Sequence, residues 1–200
     1  MSVWRYDHTA TLLPNGRVLV AGGSSSGGYT ASTDLYDPPT NTFVFPGVML
    51  NARRDHTASP LPSGNVLVAG GQGPNGFLAS TELYNPANGT WTLKAPMISS
   101  RFLHTAVTLE DGRVFVNGGW ANGAVSSSPL GEVYDPATNM WSATPPMIFG
   151  RSSHISEVLD DGNVLVVGGP LGEEAEVYHP TTNTWSPAGM MSVKRYFFAS

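Results

Sequence analysis

Five of the seven methionines act as a ruler for this chain. Met1, Met49, Met97, Met147 and Met191 each stand four residues before an arginine, at Arg5, Arg53, Arg101, Arg151 and Arg195, so the landmarks recur in steps of 48, 48, 50 and 44 residues. His8, His56, His104 and His154 come three residues after the arginines. A Gly-Gly pair follows 14 residues after each histidine, at Gly22-Gly23, Gly70-Gly71, Gly118-Gly119 and Gly168-Gly169. A period of this length means that one supersecondary unit is built repeatedly and hides its apolar surface against its neighbour, which restricts the chain to solenoids and propellers.

Within a repeat the pattern has period two. His8-Thr9-Ala10-Thr11-Leu12-Leu13 alternates and ends at Pro14-Asn15-Gly16, a strand followed by a tight turn. Pro62-Ser63-Gly64, Glu110-Asp111-Gly112 and Asp160-Asp161-Gly162 repeat that turn, with Gly where positive φ is required. Next comes a run such as Arg17-Val18-Leu19-Val20-Ala21, apolar on both sides and therefore predicted to be buried on both faces. Leu35-Tyr36, Leu83-Tyr84, Val133-Tyr134 and Val177-Tyr178 mark a third strand, stopped by Pro38, Pro86, Pro136 and Pro180. Phe43, Trp91, Trp141 and Trp185 mark a fourth. Four short antiparallel strands per repeat, with no helical period, describe the blade of a β-propeller.

The double glycine after a hydrophobic strand, the Tyr about a dozen residues on, and the Trp seven residues beyond (Tyr84 to Trp91, Tyr134 to Trp141, Tyr178 to Trp185) resemble kelch repeats, as does the preceding Arg-x-x-His-Thr-Ala. The likeness spans essentially the whole chain. It implies an all-β propeller of four-stranded antiparallel kelch-type blades, read as one domain over 1–200 with repeats 1–48, 49–96, 97–146 and 147–190. Residues 191–200 then open a fifth repeat, since Met191-Ser192-Val193-Lys194-Arg195-Tyr196 parallels Met1-Ser2-Val3-Trp4-Arg5-Tyr6. Kelch-like propellers usually close with six or seven blades. Three arrangements are therefore open: part of a longer propeller, a small ring in which the tail displaces or supplements residues 1–10, or blades completed by self-association with a second chain. Phe197 and Phe198 make the tail sticky and favour its being packed.

Composition narrows the chemistry. The net charge is −5 with only 10 Lys and Arg and no basic run, which disfavours a nucleic-acid partner. No stretch is long and apolar enough to cross a membrane, and no signal-like segment follows Met1, so no membrane partner is expected and the compartment is open between extracellular and cytoplasmic. Zero cysteines exclude thiolate metal sites and cysteine nucleophiles. They also exclude the cysteine–tyrosine radical that the resemblance to copper oxidases would imply.

Residues that recur in every repeat serve the blade, whereas singular ones are free to serve a ligand. The four histidines are accordingly read as packing struts, with no metal centre and no cofactor expected. The arginines recur with acids two residues before each Tyr (Asp34, Glu82, Glu132, Glu176), which suggests ion pairs. The rival reading rings one end of the blades with cations that attract an anion. Strand direction puts the arginine-bearing strand starts and the post-glycine loops on one face. Those loops are unequal: Ser24 to Ala31, Gln72 to Ala79, Trp120 to Leu130, and a short Pro170-Leu171-Gly172-Glu173-Glu174. The candidate ligand contacts on that face are Arg5, Arg54, Arg101, Arg151, Tyr29, Phe77 and Trp120, with Asp55 in the same region. Glu110-Asp111 and Asp160-Asp161 lack the rest of a Ca²⁺ cage. The reading is a non-catalytic binding module for a protein or glycan ligand. The alternatives are a carbohydrate-active enzyme, of sugar isomerase or oxidase kind, whose chemistry lies outside these blades, and a structural array with no ligand.

Overall fold

The structure, a computed structural model, describes residues 1, 3–121, 126–170, 173–193 and 195. Phe197 and Phe198 lie outside the described residues, as do parts of the third and fourth post-glycine loops. Every regular element among the described residues is a strand. Four sheets have four strands each, hydrogen-bonded antiparallel in chain order. Blade 1 comprises Thr9–Leu12, Val18–Ala21, Thr33–Asp37 and Thr42–Val44. Blade 2 comprises Thr57–Pro60, Val66–Ala69, Thr81–Asn85 and Thr90–Lys94. Blade 3 comprises Thr105–Thr108, Val114–Asn117, Gly131–Asp135 and Met140–Ala143, and blade 4 Ile155–Val158, Val164–Val167, Glu174–His179 and Thr184–Met190. The all-β reading of the sequence holds. The chain divides into two compact units, Met1–Phe102 with blades 1 and 2, and Leu103–Ser200 with blades 3 and 4.

Alternation gives each blade two different apolar faces. Val66 pairs with Tyr84 and Tyr84 with Trp91, so these residues lie in one row across blade 2. Leu19 pairs with Leu35 on the other face of blade 1. In the first unit the leucine face of blade 1 (Leu13, Leu19, Leu35, with Ala21 and Met49) packs on the Val66, Val68, Tyr84 row of blade 2, with Trp91 at its margin. The second unit repeats this contact. Leu109, Phe115, Val133 and Met147 meet Val164, Val166 and Tyr178, with Trp185 alongside and the Phe115 and Tyr178 rings stacked at 4.3 Å. Each fully buried side chain of this kind contributes about 1.5–3 kcal/mol, and a lone sheet would leave both faces wet. The same tyrosines also hold the turn between the third and fourth strands. The hydroxyls of Tyr36, Tyr134 and Tyr178 donate to Asn41, Asn139 and Asn183 at 2.9–3.0 Å, and those asparagines adopt positive φ.

The double glycine is required by what sits against it. A Cβ on Gly22 would lie 2.6 Å from the Arg53 carbonyl oxygen and 2.7 Å from the His56 ring. One on Gly71 would lie 2.5 Å from the Arg54 carbonyl oxygen. The carbonyl of each following arginine accepts from the second glycine, with Gly23 N–H to Arg53 at 2.8 Å, Gly71 to Arg101 at 2.8 Å and Gly119 to Arg151 at 2.7 Å. The start of each repeat is thereby seated on the end of the one before.

Candidate functional site

The recurring arginines are tied inward. Arg53 is fully buried and donates to the carbonyls of Gly70 (2.6 Å) and Ser80 (3.0 Å) and to the Glu82 carboxylate (2.8 Å). Glu82 also accepts from the backbone N–H of Leu50 (2.6 Å) and Asn51 (2.9 Å), so one carboxylate pins the inter-blade linker to the third strand. Arg151 and Glu176 repeat the knot at 3.0 Å, with Ile148 and Phe149 supplying the amides. Arg5 pairs with Asp34 at 2.7 Å. Burial pulls the Arg53 guanidinium below its ordinary pKa and Glu82 pulls it back up. A buried cation held this way is stable only while its partner stays.

This geometry supports the ion-pair reading and separates the seven candidate contacts. Arg5, Arg101 and Arg151 are 5%, 1% and 1% exposed, shut inside the blades and out of a ligand's reach. Arg54, Tyr29, Phe77 and Trp120 are half-exposed. His56 and His154 serve as struts between strands. His56 Nε2 meets Thr9 Oγ1 at 3.0 Å and His154 Nε2 meets Thr105 Oγ1 at 3.0 Å. Burial, with Arg53 and His8 nearby, holds His56 down to about 3, and burial with Arg151 holds His154 equally low.

In the first unit the half-exposed residues converge. The post-glycine segments of blades 1 and 2 form two-residue hairpins, Ser24–Ser25 with Gly28–Tyr29 and Gln72–Gly73 with Gly76–Phe77. Arg54 exchanges both backbone bonds with Gln72 (3.0 and 2.8 Å), and its guanidinium donates to Gln72 Oε1 at 3.0 Å. The guanidinium carbon lies 5.4 Å from the Tyr29 ring centroid, within cation–π range. Asp7 and Asp55 stand 3.6 and 3.5 Å from the same group. Phe77 packs against Phe102 with centroids 4.4 Å apart. Asp7 and Asp55 adopt positive φ, 54° and 50°, and the Asp55 N–H donates to the Asp7 carbonyl at 3.1 Å. Burial, with Asp7 beside it, pushes the Asp55 carboxyl up to about 6 against the pull of Arg54.

The Kelch motif matches residues 53–98, from the buried Arg53 to the residue after Met97. Residues 53–98 form a kelch repeat. No curated protein matches the chain. The matched segment is the second repeat, whose Arg53–Glu82 knot, double glycine and Tyr84–Trp91 pair have counterparts in the other repeats.

In the second unit the same end of the kelch blades carries different chemistry. Leu103 and Ser153 hold the backbone positions of Asp7 and Asp55, with φ of 54° and 49°, and the Ser153 N–H donates to the Leu103 carbonyl at 2.9 Å. Ser152 stands where the first unit has Arg54, and the Ser127 and Ser152 hydroxyls bond each other at 2.8 Å. Trp120 is half-exposed directly after Gly119. At the opposite end of this unit, Glu110, Asp111, Arg113 and Asp161 line a polar cavity of about 530 Å³ in which Arg113 pairs with Asp111 at 2.7 Å. Among the described residues no three His, Cys, Asp or Glu gather closely enough to hold a metal.

Reading the sequence for singular residues found Arg54, Tyr29 and Phe77 but missed Asp7, Gln72 and Phe102 as their companions. A signal was available. The residue after the first three recurring arginines is Tyr6, Arg54 or Phe102, a position that varies beside an invariant one and is exposed or half-exposed.

Proposed function

We propose that this kelch chain is a non-catalytic interaction module. It binds a protein ligand at the double-glycine end of its first unit, through Arg54, Tyr29, Phe77 and Phe102. One observation carries the reading: the half-exposed side chains there are a cation over an aromatic ring beside a second aromatic pair, and none of them recurs as a scaffold residue. Aromatic and arginine side chains dominate the energetics of protein contacts. Asp7 and Asp55 flank Arg54, so the cluster carries no excess of positive charge and suits a neutral or basic segment over an anion. Trp120 in the second unit stands as a second contact of the same kind, favouring a glycan or an apolar side chain by stacking.

Peptide and glycan arrays probed with the wild-type chain and three variants test this. Peptide hits are expected to weaken at least about tenfold in Arg54→Ala and Phe77→Ala, with stability moved by no more than about 1 kcal/mol. Hits indifferent to both substitutions would overturn the reading. Glycan hits lost only in Trp120→Ala would move the ligand class to carbohydrate and the site to the second unit.

A further inference from the structure

The recurring carboxylates are saturated with donors. Glu82 accepts from the amides of Leu50 and Asn51, from Asn51 Nδ2 and from Arg53, and Glu176 accepts from Ile148, Phe149 and Arg151. The two acids at the double-glycine end of the first unit are built the other way. Asp7 and Asp55 stand 3.6 and 3.5 Å from the Arg54 guanidinium, yet no described residue donates a hydrogen bond to either carboxylate. Arg54 donates to Gln72 Oε1 instead, and its Nε is buried with no acceptor.

The charges gathered here do not cancel. Arg5 and Arg53 are neutralised by Asp34 and Glu82. Burial and Arg5 pull His8 below its ordinary pKa against Asp7, and burial holds His56 down to about 3, so both imidazoles are uncharged at neutral pH. Tyr29 of the first hairpin supplies the ring beneath Arg54. The second hairpin, Gln72 to Phe77, carries no charged residue. What remains is Asp7, Asp55 and Arg54, two anions and one cation, which leaves one negative charge in excess. The repeat does not require that charge, because Leu103 and Ser153 take the same backbone positions without it. The Asp55 side chain is only 16% exposed, and an anion kept that far from water without a donor gains from acquiring one. Asp7, at 38%, keeps the outer side of the pair open. Beside them Phe77 stands opposite Gln72 in its hairpin and packs on Phe102, an apolar surface suited to a long aliphatic stem.

Building on the site proposed above, we propose that Asp7 and Asp55 together take one lysine or arginine side chain of the protein ligand, and that acidification releases it. The ligand segment is therefore basic. Its ammonium or guanidinium supplies the donors that both carboxylates lack, while its stem lies along the Phe77 and Phe102 rings. Protonating Asp55 removes the excess charge. Burial, with Asp7 beside it, raises that carboxyl to about 6 against the pull of Arg54. The ligand cation binds the ionised form, so affinity is full above 6 and falls as pH drops below it, by about tenfold at about pH 5.

Peptide arrays read at about pH 7.5 and about pH 5 with wild type, Asp7→Asn, Asp55→Asn and Glu157→Gln are the test. Asparagine tolerates positive φ, so both aspartate substitutions keep the backbone. Wild-type hits are expected to contain Lys or Arg and to weaken about tenfold at the lower pH. Asp7→Asn and Asp55→Asn each bind the same peptides about tenfold more weakly at the higher pH, and Asp55→Asn loses most of the pH dependence. Glu157→Gln, exposed on blade 4, behaves as wild type. Hits that depend on Arg54 and Phe77 but carry no basic residue, or that bind equally at both pH values, overturn the inference and leave the site standing. A pH dependence that persists in Asp55→Asn assigns the effect to His8 and overturns it as well. Hits indifferent to Arg54→Ala, or no peptide hit at all, overturn the site and the inference together.

Discussion

The double-glycine ends of the two units share a backbone and differ in chemistry. Asp7 and Asp55 in the first, Leu103 and Ser153 in the second, occupy the same left-handed conformation and pass the same N–H to carbonyl bond from one repeat to the next. The first unit sets two carboxylates, a guanidinium and three rings there, and the second sets a leucine, serines and Trp120. The identical frame shows that the conformation is imposed by the repeat, since a leucine gains nothing from positive φ and costs of order 1 kcal/mol or more there. The different side chains show where the repeat leaves composition free. Deeper in the blade the inequality reverses. Asn117 in the second unit replaces the Ala21 and Ala69 of the first. It bonds His154 at 2.7 Å and Ser156 at 2.9 Å, whereas His56 has Thr9.

Four experiments can break or sharpen that comparison. The strongest concerns what the units share: Arg53→Met and Arg151→Met should each cost about 3–5 kcal/mol in urea unfolding, because each strands a buried carboxylate. A large cost in one unit alone would mean that the frames are not equivalent. Asn117→Ala should cost about 1–3 kcal/mol by leaving His154 and Ser156 short of a partner. The same measurement on Ala69→Asn tells whether the first unit can accept the second unit's network, and a stabilised protein there would contradict the packing described.

Acidity separates the units next. His56 and His154 sit near 3 in the fold against 6.5 ordinarily. The unfolded chain therefore takes up protons first, and stability falls as pH drops from 6.5 towards 3. Asp55 runs the other way. Its folded value of about 6 lies above 3.8, so its contribution is complete below 3.8 and is lost as pH rises through 6. Asp55→Asn should raise the melting temperature at pH 7 and steepen the decline between pH 6 and pH 4, while Ser153→Ala in the second unit should do neither. Equal pH profiles for wild type and Asp55→Asn would mean that burial and Asp7 do not raise that carboxyl in the fold. The smallest effect on stability is expected at the exposed cluster, where Phe77→Ala should move it by no more than about 1 kcal/mol.

Much of this frame was legible in the chain because a repeat supplies its own alignment. The 48-residue step between Met1 and Met49 placed the strands, the turn glycines, the struts and the arginine–acid pairs, each of which answers to a local rule of period or spacing. The cluster at Arg54 was legible only in part. Its members come from three repeats, and their meeting depends on the hairpin that brings Phe77 against Phe102, a fold of the loop that no periodicity announces. The burial of Arg5, Arg101 and Arg151 was equally hidden, since a charged residue at a strand start reads as exposed until the carbonyls that surround it are in place. The left-handed Leu103 had no signal at all, leucine being among the residues least suited to it.

Arg53 and Arg54 are adjacent in sequence and opposite in fate, one buried on Glu82 and one half-exposed over Tyr29. Measuring unfolding free energy and peptide-array binding on Arg53→Met and Arg54→Ala side by side tests the division between frame and site most directly. The account predicts a loss of about 3–5 kcal/mol for the first. For the second it predicts an unchanged unfolding curve with binding reduced at least about tenfold. A stable Arg53→Met, or an Arg54→Ala that binds as well as wild type, would contradict it.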